Sequence, residues 1–333
     1  MTWLELYEQA RTHRETAAGY YNDNIRIGEV IVRIPIHGAD IMDLRLWREE
    51  DVLTAIAPYV EHAPRLHFTS AEPPFQIHGF IPGDVLNDIA PRGVPIPAHV
   101  PGDVVDLFVQ LTQVPRAKLP ATPEDWPADG DSTGFGERLT TLTQWVYDTY
   151  RDDYADLYAA FGVPTDPLAV LTEVWPRLTA RPSVCVHADV HRKNMIVQDG
   201  TSAFLDWELA LWGDPVYDLA VHFHKMEYLP PERDAVLTRW LAAMPVEHTA
   251  GWEHDLDAYL AHERIKSAIV DTVRYSQTFA NGGPYPYPPD QMVVMMAAKL
   301  NRARKPWGLE PNIHPKTVKT AFETRSTTPR SQL

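Results

Sequence analysis

His187-Ala-Asp-Val-His-Arg-Lys-Asn194, followed twelve residues later by Asp206-Trp-Glu208, is the stretch that decides the reading of this 333-residue chain. It lies between two short apolar runs, Ser183-Val-Cys-Val186 and Ala203-Phe-Leu205, whose β-branched and aromatic content reads as strand. Val186 and Leu205 close strands that lead into polar loops. That reading puts Asp189, Asn194 and Asp206 at the same end of adjacent strands, where their side chains converge. Two carboxylates and an amide are hard oxygen donors, suited to magnesium rather than zinc. Phosphoryl transfer needs those parts: one carboxylate to orient a hydroxyl, and oxygen ligands for a metal on phosphates.

Upstream, Glu29-Val-Ile-Val-Arg-Ile-Pro35 is β-branched, is bounded by Gly28 and Pro35, and reads as a strand. Leu44–Ile56 has near-helical apolar spacing through Trp47, Val52, Leu53 and Ile56. Phe75-Gln-Ile-His-Gly-Phe-Ile81 is another short strand, stopped by Pro82-Gly83. Past residue 100 the pattern turns helical, with Val104, Val105, Phe108 and Leu111 on one run and Leu139, Leu142, Val146 and Tyr150 on another. Residues 216–307 are mostly helical. The expected fold is α+β, with a sheet-bearing N-lobe over residues 1–80 and a larger helical C-lobe over 81–333. Prolines outnumber glycines 30 to 17 and so mark the breaks. Pro91–Pro101 reads as an extended connector, Pro115–Gly136 as a long surface excursion, and Phe322–Leu333 as a frayed polar tail.

The net charge of −15 disfavours a nucleic-acid partner and suits a cationic small molecule. One cysteine, Cys185, excludes an internal disulfide and a cysteine-based zinc site. Residues 1–20 hold no apolar signal-peptide core, and no apolar run reaches the ~18 residues of a membrane span. A soluble, cytoplasmic protein with no membrane partner is expected.

The sequence resembles the aminoglycoside phosphotransferase family of small-molecule kinases. The resemblance rests on His187-x-Asp189-x-x-x-x-Asn194, Asp206-Trp-Glu208 and Gly213-Asp-Pro-Val-Tyr-Asp-Leu219. It continues upstream in the right order through Gly19-Tyr-Tyr-Asn-Asp-Asn24, Val30-Ile-Val-Arg33, Arg48-Glu49 and Ile77-His-Gly-Phe80, covering roughly residues 19–220. It implies a two-lobed, protein-kinase-like fold, ATP or GTP and Mg2+ as cofactors, and transfer of the γ-phosphoryl to a small-molecule hydroxyl. Carried over, Asp189 orients the acceptor hydroxyl, while Asn194 and Asp206 hold magnesium on the phosphates. His187 braces the loop, and Asp218 ties it to the next helix. Arg33 contacts the phosphates and is positioned by Glu49. Asn22 belongs to the hairpin over the nucleotide, and backbone groups near His78 and Phe80 receive adenine.

Two positions depart from the family pattern. Ala188 replaces the glycine after the loop histidine, and Arg33 replaces the strand lysine, since no lysine precedes Lys118. The acceptor expected is an aminoglycoside-like or other antibiotic, with a metabolic sugar or amino alcohol as the alternative. Two readings of another class stay open. One is a degraded nucleotide-binding protein, marked by Arg33. The other is a metallohydrolase built on His187, His191 and His222 or His224, with Asp206.

Overall fold

Ile25, Val32, Phe75 and Ile77 fall at alternate positions of three segments, and this alternation builds a one-sided sheet. The five strands are β1 (Ala17–Ala18), β2 (Asn22–Ile27), β3 (Val30–Pro35), β4 (Leu66–Ala71) and β5 (Pro74–Gly79). They run antiparallel in the order β1-β2-β3-β5-β4. A two-residue turn joins β2 to β3, with Gly28 at φ +61°, a conformation glycine adopts without strain. The apolar face packs on Leu6, Tyr7 and Ala10 of the helix Trp3–Thr12. Val32 and Ile77 are fully buried there, each worth about 1.5–3 kcal/mol relative to exposure. The opposite face carries Arg33, Gln76 and His78 and meets the helix Glu49–Ile56 through hydrogen bonds. That helix starts five residues later than its apolar spacing suggests. Arg48 is extended, and the acidic first turn Glu49-Glu50-Asp51 suits the positive end of the helix dipole.

The computed structural model describes residues 2–12, 17–18, 22–36, 42, 44–281 and 288–327. It divides into two compact units: Met1–Ser132 with Ala180–Trp252, and Thr133–Thr179 with Glu253–Leu333. No helix among the described residues is long and apolar enough to cross a membrane.

The first unit also holds β6 (Asp84–Val85), β7 (Val184–Val186), β8 (Met195–Gln198), β9 (Thr201–Phe204) and β10 (Leu211–Gly213). β8 and β9 form a hairpin through Asp199-Gly200, both at positive φ, and β6 joins β8. β7 pairs with β10 instead of β9, so the segments ending at Val186 and Leu205, expected as adjacent strands, are not neighbours in one sheet; β8 intervenes and β9 pairs with it. The helix Pro215–Met226 starts on Asp214, whose carboxylate caps Val216 N (2.9 Å) and is gripped by buried Arg181. The Pro115–Gly136 stretch is pinned rather than loose. Trp47 Nε1 donates to Ala121 O (3.0 Å), Trp126 Nε1 donates to Trp212 O (3.0 Å), and the helix Ser132–Tyr150 opens at its end.

The second unit is helical, led by Ser132–Tyr150, Trp252–Asn281, Pro289–Arg304 and Pro315–Thr327. Gly136 lets the first of these approach Trp175, whose ring would lie 2.6 Å from an added Cβ. The expected frayed tail is corrected in part. Phe322 is 1% exposed and packs on Phe161 and Phe279, which holds the last helix to Thr327.

Candidate active site

β7 ends at Val186 and delivers a loop whose backbone is fixed by one carboxylate. Asp218, in the first turn of the helix Pro215–Met226, accepts His187 N (2.9 Å) and Ala188 N (2.8 Å). Burial pushes Asp218 up to about 6, and the two N–H donors oppose that rise. Ala188 sits at φ +58°, a left-handed conformation that explains glycine at this position in the resembled pattern. His187 is fully buried on Trp207, with ring centroids 4.3 Å apart, and its Nδ1 accepts Asp189 N (3.3 Å). It braces the loop, as expected.

Asp189 is 9% exposed. Its Oδ2 accepts Asn194 Nδ2 (3.0 Å), and the same amide donates to Asp189 O (3.1 Å). Its Oδ1 contacts Lys225 Nζ, and His191 Nε2 lies 3.4 Å away. Burial alone would raise this carboxyl, but Lys225 and His191 outweigh it and hold it below the ordinary value. Arg192 anchors the loop from beneath, donating to the carbonyls of Ala90 (2.5 Å) and Met226 (3.1 Å).

Asn194 O accepts Leu205 N (2.8 Å), which ties the catalytic loop to the next polar turn. There Asp206 adopts φ +66°, a strained position of the kind found at functional sites. Arg33 crosses from β3 to meet it. Arg33 NH1 lies 2.8 Å from Glu49 Oε1 and NH2 lies 3.5 Å from Asp206 Oδ1. Glu49 Oε1 also accepts Trp207 N (3.1 Å). Arg33 and Glu49 are therefore brought together, and Asp206 joins them, a contact the sequence reading did not include. Burial would weaken the Arg33 charge, but Glu49, Asp206 and Glu208 overcome it and raise its pKa. Burial raises Asp206 despite Arg33, and burial plus the Asp206 charge pushes Glu208 up to about 10. Asp206 Oδ1 and Glu208 Oε2 are buried with no hydrogen-bond partner among the described residues. Carboxylate oxygens met only by these longer ion pairs, Asp206 Oδ1 by Arg33 at 3.5 Å and Glu208 Oε2 by Arg45 at 4.0 Å, fit a hard divalent cation, whose charge would relieve both shifts.

The backbone groups expected to receive adenine are partly engaged by the sheet itself. Gly79 N donates to Arg65 O (2.8 Å) and Phe80 N to Glu29 O (2.9 Å). His78 Nε2 faces Gln76 Oε1 (2.8 Å), while Gln76 Nε2 donates to Glu50 Oε2 (2.7 Å). The Arg26 guanidinium covers the Phe80 ring at 3.5 Å. Asn22 opens β2 opposite Pro35. Gly19–Tyr21 of the expected nucleotide-covering hairpin lie outside the described residues.

The histidines do not assemble a metal centre. His222 Nδ1 faces Val190 O (2.9 Å) and its Nε2 faces Tyr228 OH (2.8 Å), so both nitrogens are engaged. His191 Nδ1 accepts Lys193 N (3.2 Å). Among the described residues no group of three His, Cys, Asp or Glu is placed to hold an ion. Sequence reasoning missed Lys225 and Glu208. A signal for the first existed: Lys225 follows Asp218 by seven residues, two turns along one helix face.

A family model described as the phosphotransferase enzyme family matches residues 12–253, well over half of the chain. The chain belongs to this family. Its members are phosphotransferase enzymes. No curated protein matches the sequence. Solved structures share the fold at low identity. An aminoglycoside phosphotransferase described as putative, from Ralstonia eutropha JMP134, is 15% identical, covering 95% of this chain and 97% of its own, with a TM-score of 0.57. A choline/ethanolamine kinase family protein from Mesorhizobium loti is 12% identical over 97% and 100%, with a TM-score of 0.55. The ADP-bound aminoglycoside phosphotransferase APH(2″)-Ib is 13% identical over 92% and 99%, with a TM-score of 0.54. The phosphotransferase here therefore has the α+β, protein-kinase-like fold expected from its sequence.

Proposed function

We propose that this phosphotransferase acts in the cytoplasm and moves the γ-phosphoryl of ATP or GTP to a hydroxyl of a small, cationic antibiotic of the aminoglycoside kind. The observation that carries the reading is the Asp189–Asn194 pair, tied through Leu205 N to the turn of Asp206, whose buried Oδ1 has no hydrogen-bond partner among the described residues. Asp189 would hold the acceptor hydroxyl and take its proton. Asn194 and Asp206 would hold Mg2+, which when bound neutralises charge on the phosphates. Residues 1–80 would form the nucleotide lobe and 81–333 the catalytic and acceptor lobe. Since Gly79 N and Phe80 N are engaged, Ile81 N–H is the hinge donor left for the base; it bonds to no described residue, and Pro82 after it has none to give. The ADP-bound relative supports a nucleotide, and the net charge of −15 supports a cationic acceptor. The Mesorhizobium loti relative keeps an amino-alcohol kinase as the second reading.

Calorimetry of ATP with and without Mg2+ tests the metal assignment. Wild type should show magnesium-dependent binding that Asp206→Ala loses, and equal affinity in both proteins refutes it. Asp189→Asn should keep that binding while abolishing the phosphate mass gain on any acceptor found by screening antibiotics, sugars and amino alcohols.

A further inference from the structure

Both carboxylate oxygens of Asp189 are already engaged: Oδ2 by Asn194 and Oδ1 by Lys225. On the proposed function, on which this inference rests, an acceptor hydroxyl must find a place at this carboxylate. Oδ1 is the oxygen not held by a metal ligand, so Lys225 stands where the reacting atoms meet.

The charges around it give Lys225 a further role. Arg33 spends its two terminal nitrogens on Glu49 and Asp206. Arg92 is paired with Glu227 at 3.0 Å, and Arg192 is buried on backbone carbonyls. A triphosphate adds negative charge at this point, and the three peripheral oxygens of the transferred group keep it in the transition state. Lys225 is half-buried in the last turn of the helix whose first turn, through Asp218, fixes the catalytic loop. Its ammonium is a compact charge on a four-carbon stem, free to re-aim without moving the helix.

We infer that Lys225 is a second phosphoryl-binding cation: it pairs with Asp189 in the empty site and turns to the γ-phosphoryl group when the triphosphate binds, which leaves Oδ1 to the acceptor hydroxyl. In the transfer step the acceptor oxygen forms a bond to the γ-phosphorus while the bond to the β,γ-bridging oxygen breaks. The bonding electrons leave with the nucleoside diphosphate, and the hydroxyl proton passes to Asp189 and then to solvent. Lys225 stays protonated and supplies charge alone.

The test compares magnesium-loaded ADP with the magnesium-loaded β,γ-imido analogue of ATP by calorimetry on wild type, Lys225→Met, Lys225→Gln and Lys225→Arg. Lys225→Met and Lys225→Gln should each weaken the triphosphate analogue about tenfold and change ADP less than twofold, the loss of one charge-assisted hydrogen bond. Lys225→Arg should restore most of the difference. A merely structural lysine would weaken both ligands together or neither, and either result overturns the assignment while leaving the nucleotide site standing. Wild type that binds neither ligand overturns the underlying nucleotide reading, and this inference with it.

Discussion

Arg33→Met removes the cation at the centre of the buried charge cluster and leaves a side chain of similar length. Arg33 is 8% exposed and Glu49 is 5% exposed, so little water reaches either group. Its NH1 lies 2.8 Å from Glu49 and its NH2 lies 3.5 Å from Asp206. At an effective dielectric of about 20, each unit-charge pair some 4 Å apart is worth ~4 kcal/mol, less the cost of desolvating the ions. Breaking a buried pair from one side costs about 3–5 kcal/mol, because the remaining charge stays buried without a partner. Arg33→Met should therefore lose ~3–5 kcal/mol at pH 7.5, read as a lower urea midpoint. Arg33→Lys keeps a charge but not the two-armed fork, and should lose about 1.5–3 kcal/mol, one charge-assisted bond. The pH dependence has a definite sign. Without Arg33, the neighbouring carboxyls bind protons more readily in the folded state than in the unfolded one. Stability then falls as pH rises, so the deficit against wild type is smaller at pH 5 than at pH 8. A loss under about 1 kcal/mol, or a deficit that widens on acidification, refutes the reasoning.

Glu208→Gln should be tolerated. The carboxyl is pushed up to about 10 by burial and by Asp206, against about 4.3 in an unfolded chain. The native state thus holds a proton that the unfolded chain releases, and wild type loses stability as pH rises between those values. The amide copies the protonated acid, so urea midpoints should show the variant at least as stable at pH 8, with the gap closing toward pH 5. A variant less stable at pH 8 contradicts this. Asp218→Asn turns an amide nitrogen toward His187 N or Ala188 N, costing about 1–3 kcal/mol and lowering kcat far more than it raises the nucleotide KM. An unaltered kcat would mean that this carboxylate does not set the loop. Gly136→Ala drives a Cβ to 2.6 Å from a Trp175 ring, itself held by Thr140 Oγ1 at 2.8 Å. Overpacking of about 1–3 kcal/mol should exceed the ~1 kcal/mol helix gain of alanine, lowering the melting temperature.

The parts of the fold legible from sequence are those set by local rules. The β-branched run Val30–Pro35 between Gly28 and Pro35 and the short apolar segment Phe75–Gly79 before Pro82 mark strands, and the structure buries Val32, Phe75 and Ile77. The Asp189–Asn194 pair and its backbone link to the turn of Asp206 have a related local origin: two polar turns follow apolar segments at short range. Strand pairing was not legible. β7 and β9 are both short and apolar, and nothing in such a run states its partner; β10, which the sequence analysis did not mark as a strand, takes β7. The Asp199-Gly200 turn did carry a hairpin signal, and it fixes β8 against β9. Lys225 lies 36 residues from Asp189, so only the Pro215–Met226 helix, by presenting Asp218 and Lys225 two turns apart, makes them neighbours. Phe322 shows the opposite failure. A polar segment with one aromatic reads as tail, yet that aromatic finds Phe161 and Phe279 and orders the helix around it.

Arginine on β3 follows from the acids it faces. Trp207 N turns Glu49 inward, and Asp206-Trp-Glu208 sets a second and a third carboxyl beside it. A lysine there would place one ammonium against one oxygen, leaving the other acids to share buried repulsion. The arginine fork reaches Glu49 with one nitrogen and Asp206 with the other, and Glu208 keeps its proton instead of demanding a third cation. Arg33 is thereby occupied in holding Glu49 and Asp206. Charge compensation for the group being transferred must then come from elsewhere, and the cation in contact with Asp189 is Lys225. The arginine on the strand and the lysine at the helix end are parts of one electrostatic arrangement.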